Sequence, residues 1–387
     1  MAERTYFDWN ATAPLRPEAR AAMLAALDGC ANASSVHSEG RAARQIIENA
    51  RLNVATLVGA GARNVIFTSG ATEANVLALT PALEAGGRKA ARGRLFVSAV
   101  EHPSVASGGR FAPEQVEVLP VDGDGVVDLA ALRAAMARAE QPLVSVMLAN
   151  NETGVVQPIA AIAAIVHEAG GLLHVDAVQG VGRTDCDMAG LGIDLLTLSS
   201  HKLGGPQGAG ALILRDDLHI AEPLITGGGQ ERGRRAGTEN VAAIAGFGAA
   251  CAAASAAMQA DAPRMGALRD RIEAGIRNAT PQAVIFGQGA ARLPNTTLVA
   301  VPGLKAETAL IAFDLDGLAL SSGSACSSGK VQASSVLSAM GVEPALARGA
   351  LRISIGPTTT DNEVDALLLA WNRVVSSLLK KQTDIAA

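Results

Sequence analysis

Two side chains able to do covalent chemistry stand in sequence surroundings that are unusual for their type. Lys202 follows an apolar, strand-like run in "LTLSSHKLGGPQG" and is one of only six lysines in the chain. A lysine in a partly desolvated cleft has a lowered pKa and condenses with aldehydes to give an imine. Cys326 stands among small residues in "SSGSACSSGK", which favour an accessible thiol over a buried one. A free loop thiol without chemistry is the alternative for Cys326.

Further polar side chains come directly after strand-like runs. Asp176 ends the apolar run in "LLHVDAVQG", where a carboxylate is costly unless a cationic group meets it, and Gln179 follows three residues later. His102 lies just past a strand in "SAVEHPSV". The alternatives are that Asp176 caps the next helix and that His102 is a structural hydrogen-bonding residue.

The string "SGATEAN" at 69–75 predicts the start of a helix with free backbone N–H groups, which form a site for an anion such as phosphate. No lysine follows, as it would in a nucleotide-binding P-loop. An ordinary helix cap is the alternative interpretation. The string "MLANNETG" ends a strand in Asn150 and Asn151, and its composition is also typical of a turn.

Taken together, these features describe one ligand, pyridoxal 5′-phosphate. The helix start would hold its phosphate, His102 would stack on its ring, and Lys202 would form the imine with its aldehyde. Asp176 would keep the ring nitrogen protonated and so make the ring an electron sink.

The elements that must position these residues alternate between strands and helices, which predicts an α/β fold. In an open sheet of this kind the ligand lies beyond the carboxyl ends of the strands. The run "GGPQGAGALILRDD" predicts a strand at a sheet edge, and an Ala-rich helix is expected from about Glu239 to Met258. Short apolar runs typical of buried parallel strands occur at 94–100, 143–150, 171–177 and 194–200.

Length and composition narrow the class of protein. The chain has 387 residues, so we expect two domains: 16–258 as the large domain, and 1–15 with 259–387 as a smaller α+β domain. A hydrophobic fraction of 49% argues against disorder, and a net charge of -5 without a basic run argues against nucleic acid and anionic membranes as partners. The four cysteines lack CxxC spacing, so no intrinsic metal site is expected. The N-terminus lacks an apolar signal segment, which predicts a cytoplasmic protein.

The motifs, in this order, resemble those of the NifS/IscS cysteine desulfurases, class V enzymes of fold-type I that depend on pyridoxal 5′-phosphate. The resemblance covers nearly the whole chain and implies a mostly parallel, seven-stranded sheet in the large domain. It is carried by "YFDWNATAPL", "HSEGRAAR", "SGATEAN", "EHPSV", "NNETGVVQPI", "HVDAVQGVG", "SSHKLGGPQGAGAL", "GGGQERGRRAGTEN", "SSGSACSSG" and "ALRISIG".

The resemblance also implies a role for each site residue. Lys202 would be the Schiff-base lysine, His102 would stack on the ring and assist proton transfer or thiol activation, and Asp176 would pair with the ring nitrogen. Gln179 would reach the phenolic oxygen. Arg352 would bind the substrate carboxylate together with Asn150, which is also expected at the cofactor; a solvated surface arginine is the alternative for Arg352. The residues expected to hold the phosphate are Ala71, Thr72, Ser199 and His201, with Thr238 from the neighbouring subunit.

The activity that the resemblance implies is conversion of L-cysteine to L-alanine, with the sulfur transferred to Cys326 as a persulfide. The sulfur would serve iron–sulfur cluster assembly or other sulfur-containing products. The implied partners are a second copy of the chain and a sulfur acceptor such as an iron–sulfur scaffold, whose cluster Cys326 could contact. A selenocysteine lyase or a class V aminotransferase on the same fold is the alternative; a non-catalytic scaffold is disfavoured by the complete set of cofactor residues.

Overall fold

The computed structural model describes residues 4–29, 32–86, 88–323 and 334–386, with the backbone alone for 88–91 and 381–386. Cys326 therefore lies outside the described residues. The helices are α1 (Pro17–Leu27), α2 (Ser38–Leu57), α3 (Ala71–Ala78), α4 (Pro103–Ala106), α5 (Leu129–Met136), α6 (Ile159–Glu168), α7 (Met188–Leu191), α8 (Val241–Ala279), α9 (Ala306–Leu315), α10 (Ser335–Ala339), α11 (Pro344–Ala347) and α12 (Asp361–Ala386).

The strands form a large sheet and several smaller ones. They are β1 (Thr5–Tyr6), β2 (Val65–Thr68), β3 (Ala82–Ala85), β4 (Arg88–Ala91), β5 (Leu95–Ser98), β6 (Val116–Leu119), β7 (Leu143–Met147), β8 (Leu172–Asp176), β9 (Leu195–Ser199), β10 (Gly210–Leu214), β11 (Leu218–Ile220), β12 (Val284–Ile285), β13 (Thr296–Ala300), β14 (Leu318–Ala319), β15 (Ser321–Ser322) and β16 (Leu351–Ser354).

The large sheet has seven strands in the order β2-β10-β9-β8-β7-β5-β6, and all of them are parallel except β10. This confirms the predicted mostly parallel, seven-stranded sheet. The prediction that the strand after the glycine-rich turn forms a sheet edge was wrong. Strand β10 pairs with β9 on one side and β2 on the other, and all five of its residues are buried. The connection between β9 and β10 is too short for a parallel crossover, so β10 runs antiparallel to β9. On its other side β10 pairs with β2, which places it inside the sheet.

Both faces of the large sheet are covered, which explains why its central strands read as continuous apolar runs. Alternate residues of a strand contribute to different cores because successive side chains point to opposite faces. In β2, Val65 and Phe67 belong to the core that also holds Ile47 of α2 and Phe247 of α8, whereas Ile66 belongs to the core that holds Leu77 of α3.

Helix α8 is longer than the sequence predicted. It runs from Val241 to Ala279 with Pro263 inside, so the expected end near Met258 was wrong. Asp261 and Pro263 resemble a helix stop, but the second half is retained because Met265, Leu268, Ile272 and Ile276 bury their side chains in another core. By length and composition α8 could also cross a membrane; half of its most apolar window is buried inside the protein, as is typical of a core helix.

A second core lies around the four-stranded antiparallel sheet β12-β13-β16-β15, with α9 and α12 packed on it. The N-terminal segment joins this core, because Phe7 is buried there and β1 pairs with β14. Both ends of the chain therefore contribute to the second core. The division into two domains and its boundary at residue 258 stay predictions, since α8 continues across that boundary.

Candidate active site

A cavity of about 700 Å³ lies beyond the carboxyl ends of β7, β8 and β9, where an open α/β sheet binds its ligand. Its size falls within the range of small-molecule and cofactor sites. Arg352 of the second core reaches the same cavity, so the site lies where the two cores meet. The predicted site residues that line it are Ala71, Thr72, His102, Asp176, Gln179, Ser199, His201, Lys202 and Arg352.

Asp176 is the last residue of β8 and is 6% exposed. Its carboxylate accepts hydrogen bonds from the Asn75 side-chain amide at 2.9 Å and from the backbone N–H of Val178 at 3.0 Å. Burial raises the pKa of Asp176, against the effect of these hydrogen bonds and of His102 and Lys202 nearby. A buried carboxylate that lines a cavity is stabilised by a cationic ligand atom, so Asp176 is well suited to a protonated ring nitrogen.

Lys202 ends a single helical turn, Ser200–Lys202, directly after β9. Its ammonium group donates hydrogen bonds to the backbone carbonyls of Asn10 at 2.5 Å and Ala11 at 2.8 Å. These two residues and Thr12 line the cavity too. The sequence predicted no catalytic role for this N-terminal segment, only a place at the rim of the cleft.

His102 caps the N-terminus of α4: its Nδ1 lies 3.2 Å from the backbone nitrogen of Ser104 and 2.8 Å from the Ser104 hydroxyl. Burial lowers the pKa of His102, and Lys202 adds to this while Asp176 opposes it. The ring is therefore neutral at neutral pH. Because Nδ1 accepts the Ser104 N–H, the hydrogen-bond network assigns the ring proton to Nε2.

The helix start predicted to bind phosphate is present as α3. Ala71 and Thr72 are its first residues, and its N-cap residue Gly70 provides no side-chain hydrogen bond, so the first N–H groups of the helix have no side-chain cap. Strand β10 passes so close that a Cβ on Gly210 would lie 2.6 Å from the carbonyl carbon of Gly70, which excludes any larger residue there. Burial lowers the pKa of His201, another residue that lines the cavity, to about 4, so this histidine is neutral.

Arg352 is buried in β16 with 3% of its side chain exposed, which overturns the alternative of a solvated surface group. Nη2 of its guanidinium donates to Asp8 at 2.7 Å, and Nη1 donates to the backbone carbonyl of Asn151 at 3.0 Å. Its Nε is buried and has no hydrogen-bond partner among the described residues. Arg352 lines the cavity, so its guanidinium places a buried positive charge at the ligand site.

Two of the predicted residues do not line the cavity. Asn150 is 1% exposed, and its side chain bonds to the protein backbone: the carbonyl accepts the N–H groups of Glu152 and Thr153 in the same turn at 2.9 Å, and the amide donates to the carbonyl of the distant Val100 at 3.1 Å. Its contact with a ligand stays a prediction. Thr238 is exposed on its own chain, and its contribution to a neighbouring subunit also stays a prediction.

The described residues fit pyridoxal 5′-phosphate. A primary amine and a buried carboxylate line one cavity, an uncapped helix start lies at its edge, and the buried Nε of Arg352 lacks a partner in the described part of the chain. No group of three histidine, cysteine, aspartate or glutamate side chains among the described residues is arranged to hold a metal ion.

Residues 5–367 match the family model of the class-V aminotransferases, and the chain therefore belongs to this family. Enzymes of this family depend on pyridoxal 5′-phosphate, as the sequence analysis predicted for this chain.

Individual relatives are more specific. A cysteine desulfurase from Cereibacter sphaeroides is 43% identical, with 97% of each chain covered. The structure of a NifS-like protein from Rickettsia africae ESF-5 superposes with a TM-score of 0.88 at 36% identity, covering 97% of this chain and all of that one. The structure of SspA in complex with cysteine superposes with a TM-score of 0.75 at 30% identity, covering 92% of this chain and 99% of that one. These similarities confirm the resemblance to NifS/IscS-type cysteine desulfurases.

Proposed function

We propose that the protein is a cysteine desulfurase that converts L-cysteine to L-alanine and transfers the sulfur to Cys326. The observation that carries this proposal is the convergence of Lys202, Asp176 and Arg352 on one cavity in a chain 43% identical to a cysteine desulfurase. Pyridoxal 5′-phosphate supplies an aldehyde that condenses with amines and a ring that withdraws electrons from the α carbon. The cofactor is proposed to be bound by Lys202, Asp176, His102, Gln179 and the start of α3.

Arg352 is proposed to bind the carboxylate of the substrate. Its guanidinium is oriented by Asp8 and by the carbonyl of Asn151, while its Nε has no partner among the described residues. A guanidinium binds a carboxylate with defined geometry, so this contact would fix the orientation of the amino acid relative to Lys202.

Lys202 is proposed as the base that removes the α proton, since an amine can take up a proton once it is uncharged. Its ammonium is held by the carbonyls of Asn10 and Ala11. The neutral His102 offers Nε2–H as a donor, because Nδ1 is occupied by Ser104. Asp176 stays charged when a cationic ring nitrogen lies beside it.

Cys326 is proposed as the sulfur acceptor, on the family resemblance of "SSGSACSSG". The overall step balances: L-cysteine and the Cys326 thiol give L-alanine and a persulfide on Cys326. We further propose a homodimer in which Thr238 contacts the neighbouring subunit's phosphate, and an iron–sulfur scaffold as one sulfur acceptor. A cytoplasmic location is supported by the free thiols of Cys186 and Cys251.

The test is to supply L-cysteine to the cofactor-loaded protein and to measure released alanine and protein-bound sulfur. We expect both products from the wild type. Cys326→Ser should retain the cofactor absorbance but form no persulfide, and Lys202→Ala should lose the absorbance of the lysine-bound cofactor. Cys186→Ser is the matched thiol control and should leave both products unchanged. Undiminished sulfur transfer by Cys326→Ser, or transfer of an amino group in place of sulfur, would contradict the proposal.

A further inference from the structure

Glu73 lies where a negative charge is unfavourable for the proposed cofactor. It is the third residue of α3, lines the cavity and has 12% of its side chain exposed. Its Oε2 accepts hydrogen bonds from the backbone N–H of Ser69 at 2.9 Å and from the Ser69 hydroxyl at 2.5 Å. A carboxylate at the start of an anion-binding helix repels a phosphate and occupies donors that the phosphate could use.

Arg235 compensates this charge from a different part of the chain. It belongs to the segment between β11 and α8, and its guanidinium donates to both oxygens of Glu73, with Nε at 2.8 Å from Oε1 and Nη2 at 3.3 Å from Oε2. Burial by itself would raise the pKa of Glu73, but Arg235 and Ser69 hold this pKa below its ordinary value. The carboxylate is therefore ionised and paired, and the pair carries no net charge.

The segment that carries Arg235 is anchored to the core independently of this contact. Glu231 has a left-handed backbone, φ 46°, which is strained for a residue other than glycine. Its buried carboxylate holds the segment in place by accepting two hydrogen bonds from Arg51, at 2.7 and 2.8 Å, and one from the Phe67 N–H at 3.0 Å. Arg235 is thus held near Glu73 before any ligand binds.

We propose that Arg235 is a positioning residue for the phosphate end of the cofactor site: by pairing with Glu73 it cancels a charge that would otherwise repel the phosphate. This inference rests on the proposed function, because it takes the ligand to be pyridoxal 5′-phosphate. It predicts that Arg235 acts through Glu73 on the phosphate alone and not on the aldehyde or the ring.

The experiment is to titrate the apo protein with pyridoxal 5′-phosphate and, separately, with pyridoxal, which lacks the phosphate. Arg235→Gln should weaken binding of pyridoxal 5′-phosphate at least tenfold and change pyridoxal binding less than twofold. The double variant Glu73→Gln with Arg235→Gln should regain most of the lost affinity, because it leaves no unpaired carboxylate. Arg232→Gln is the matched control: this exposed arginine of the same segment bonds to the carbonyl of Arg63 and should change neither affinity.

Melting temperatures of all variants report on folding, and sedimentation reports on their oligomeric state. Equal losses for the two ligands in Arg235→Gln, or a double variant no better than Arg235→Gln, would overturn the proposal. If the wild type and Arg235→Gln prefer pyridoxal 5′-phosphate over pyridoxal by the same factor, this inference alone is overturned. A wild type with no such preference would overturn both this inference and the proposed function.

Discussion

Asn75 donates hydrogen bonds of 2.9 Å both to the Asp176 carboxylate and to the Ser104 hydroxyl, which itself lies 2.8 Å from Nδ1 of His102. One amide in α3 therefore links the residue proposed to face the ring nitrogen to the residue proposed to stack on the ring. The helix proposed to hold the phosphate at its first turn therefore also orients the residues proposed to contact the ring.

Asn75→Ala is predicted to reduce alanine release from cysteine about tenfold, mainly in kcat, since a hydrogen bond to a charged group contributes roughly 1.5–3 kcal/mol. The lost donor should raise the pKa of Asp176 further, because the Asn75 hydrogen bond now opposes the effect of burial. The check is the steady-state kinetics of cysteine turnover, together with the spectrum of the bound cofactor. Asn49→Ala, on the exposed side of α2, is the control, and an unchanged kcat in Asn75→Ala would speak against this network.

Glu152 is predicted to orient the chain that carries Cys326. Its carboxylate accepts a hydrogen bond of 2.6 Å from the hydroxyl of Ser334. A Cβ added to Gly323 would lie 2.5 Å from Oε2 of the same carboxylate. Gly323 and Ser334 are the described residues on either side of the stretch that holds Cys326. Gly323→Ala and Ser334→Ala should slow labelling of Cys326 by substrate sulfur several-fold.

The same variants should leave the cofactor absorbance unchanged, because neither residue lines the cavity. The measurement is the rate at which labelled sulfur from cysteine appears on the protein. Ser338→Ala, at an exposed position of α10, serves as the control for Ser334→Ala. Wild-type labelling rates in both Gly323→Ala and Ser334→Ala would show that the Glu152 contact has no such role.

Cys186 and Cys251 are predicted to resist alkylation in the native protein. Both are buried; burial raises the pKa of Cys186 to about 12 and raises that of Cys251 well above its ordinary value, so neither forms the reactive thiolate at neutral pH. Peptide mass spectrometry after treatment with iodoacetamide should find these two thiols unmodified, and all four cysteines modified in denaturant. Native labelling of either one at the rate of free cysteine would refute the prediction.

Glu101 is predicted to make stability fall as the pH rises. Burial raises its pKa from 4.5 to about 8, so across this window the folded protein keeps a proton that the unfolded chain has lost. The free energy of unfolding therefore decreases towards pH 8, by up to about 1.4 kcal/mol per pH unit from this group.

Glu101→Gln removes this contribution. Between pH 4.5 and about pH 8 the melting temperature of this variant should therefore fall less than that of the wild type. The amide that replaces the carboxyl group keeps an oxygen for the Ser98 hydroxyl and the Met147 N–H, both of which now donate to Oε1 of Glu101. Glu114→Gln, at an exposed position, should follow the wild type. Parallel pH profiles for Glu101→Gln and the wild type would rule out the proposed titration.

The sequence predicted the residues of the site that follow strands, because the carboxyl ends of parallel strands meet at one edge of the sheet. Asp176, Lys202 and His102 were predicted in this way, and all three line the cavity. The contact of Lys202 with Asn10 was not predicted. It joins residues 192 positions apart, and Asn10 lies in an irregular segment that has no periodic pattern.

The burial and the pairing of charged side chains could not be predicted from the sequence either. Glu152 stands inside a motif that composition describes as a turn, yet the residue is only 6% exposed, and Gly323 and Ser334 from distant parts of the chain lie against its carboxylate. The pairing of Glu73 with Arg235 spans 162 residues and depends on where a glycine-rich segment folds back. Such contacts follow from tertiary structure and leave no local signal.

Helix α8 runs without interruption from one core into the other. It therefore fixes how the second core is rotated about the helix axis relative to the first. Each residue of an α-helix advances about 1.5 Å and turns about 100°. One amino acid inserted between Ala254, in the first core, and Met265, in the second, would swing the second core by that angle and carry Arg352 away from Lys202. The length of this stretch is thus as much a part of the catalytic geometry as any side chain, and it should tolerate substitutions far better than insertions or deletions.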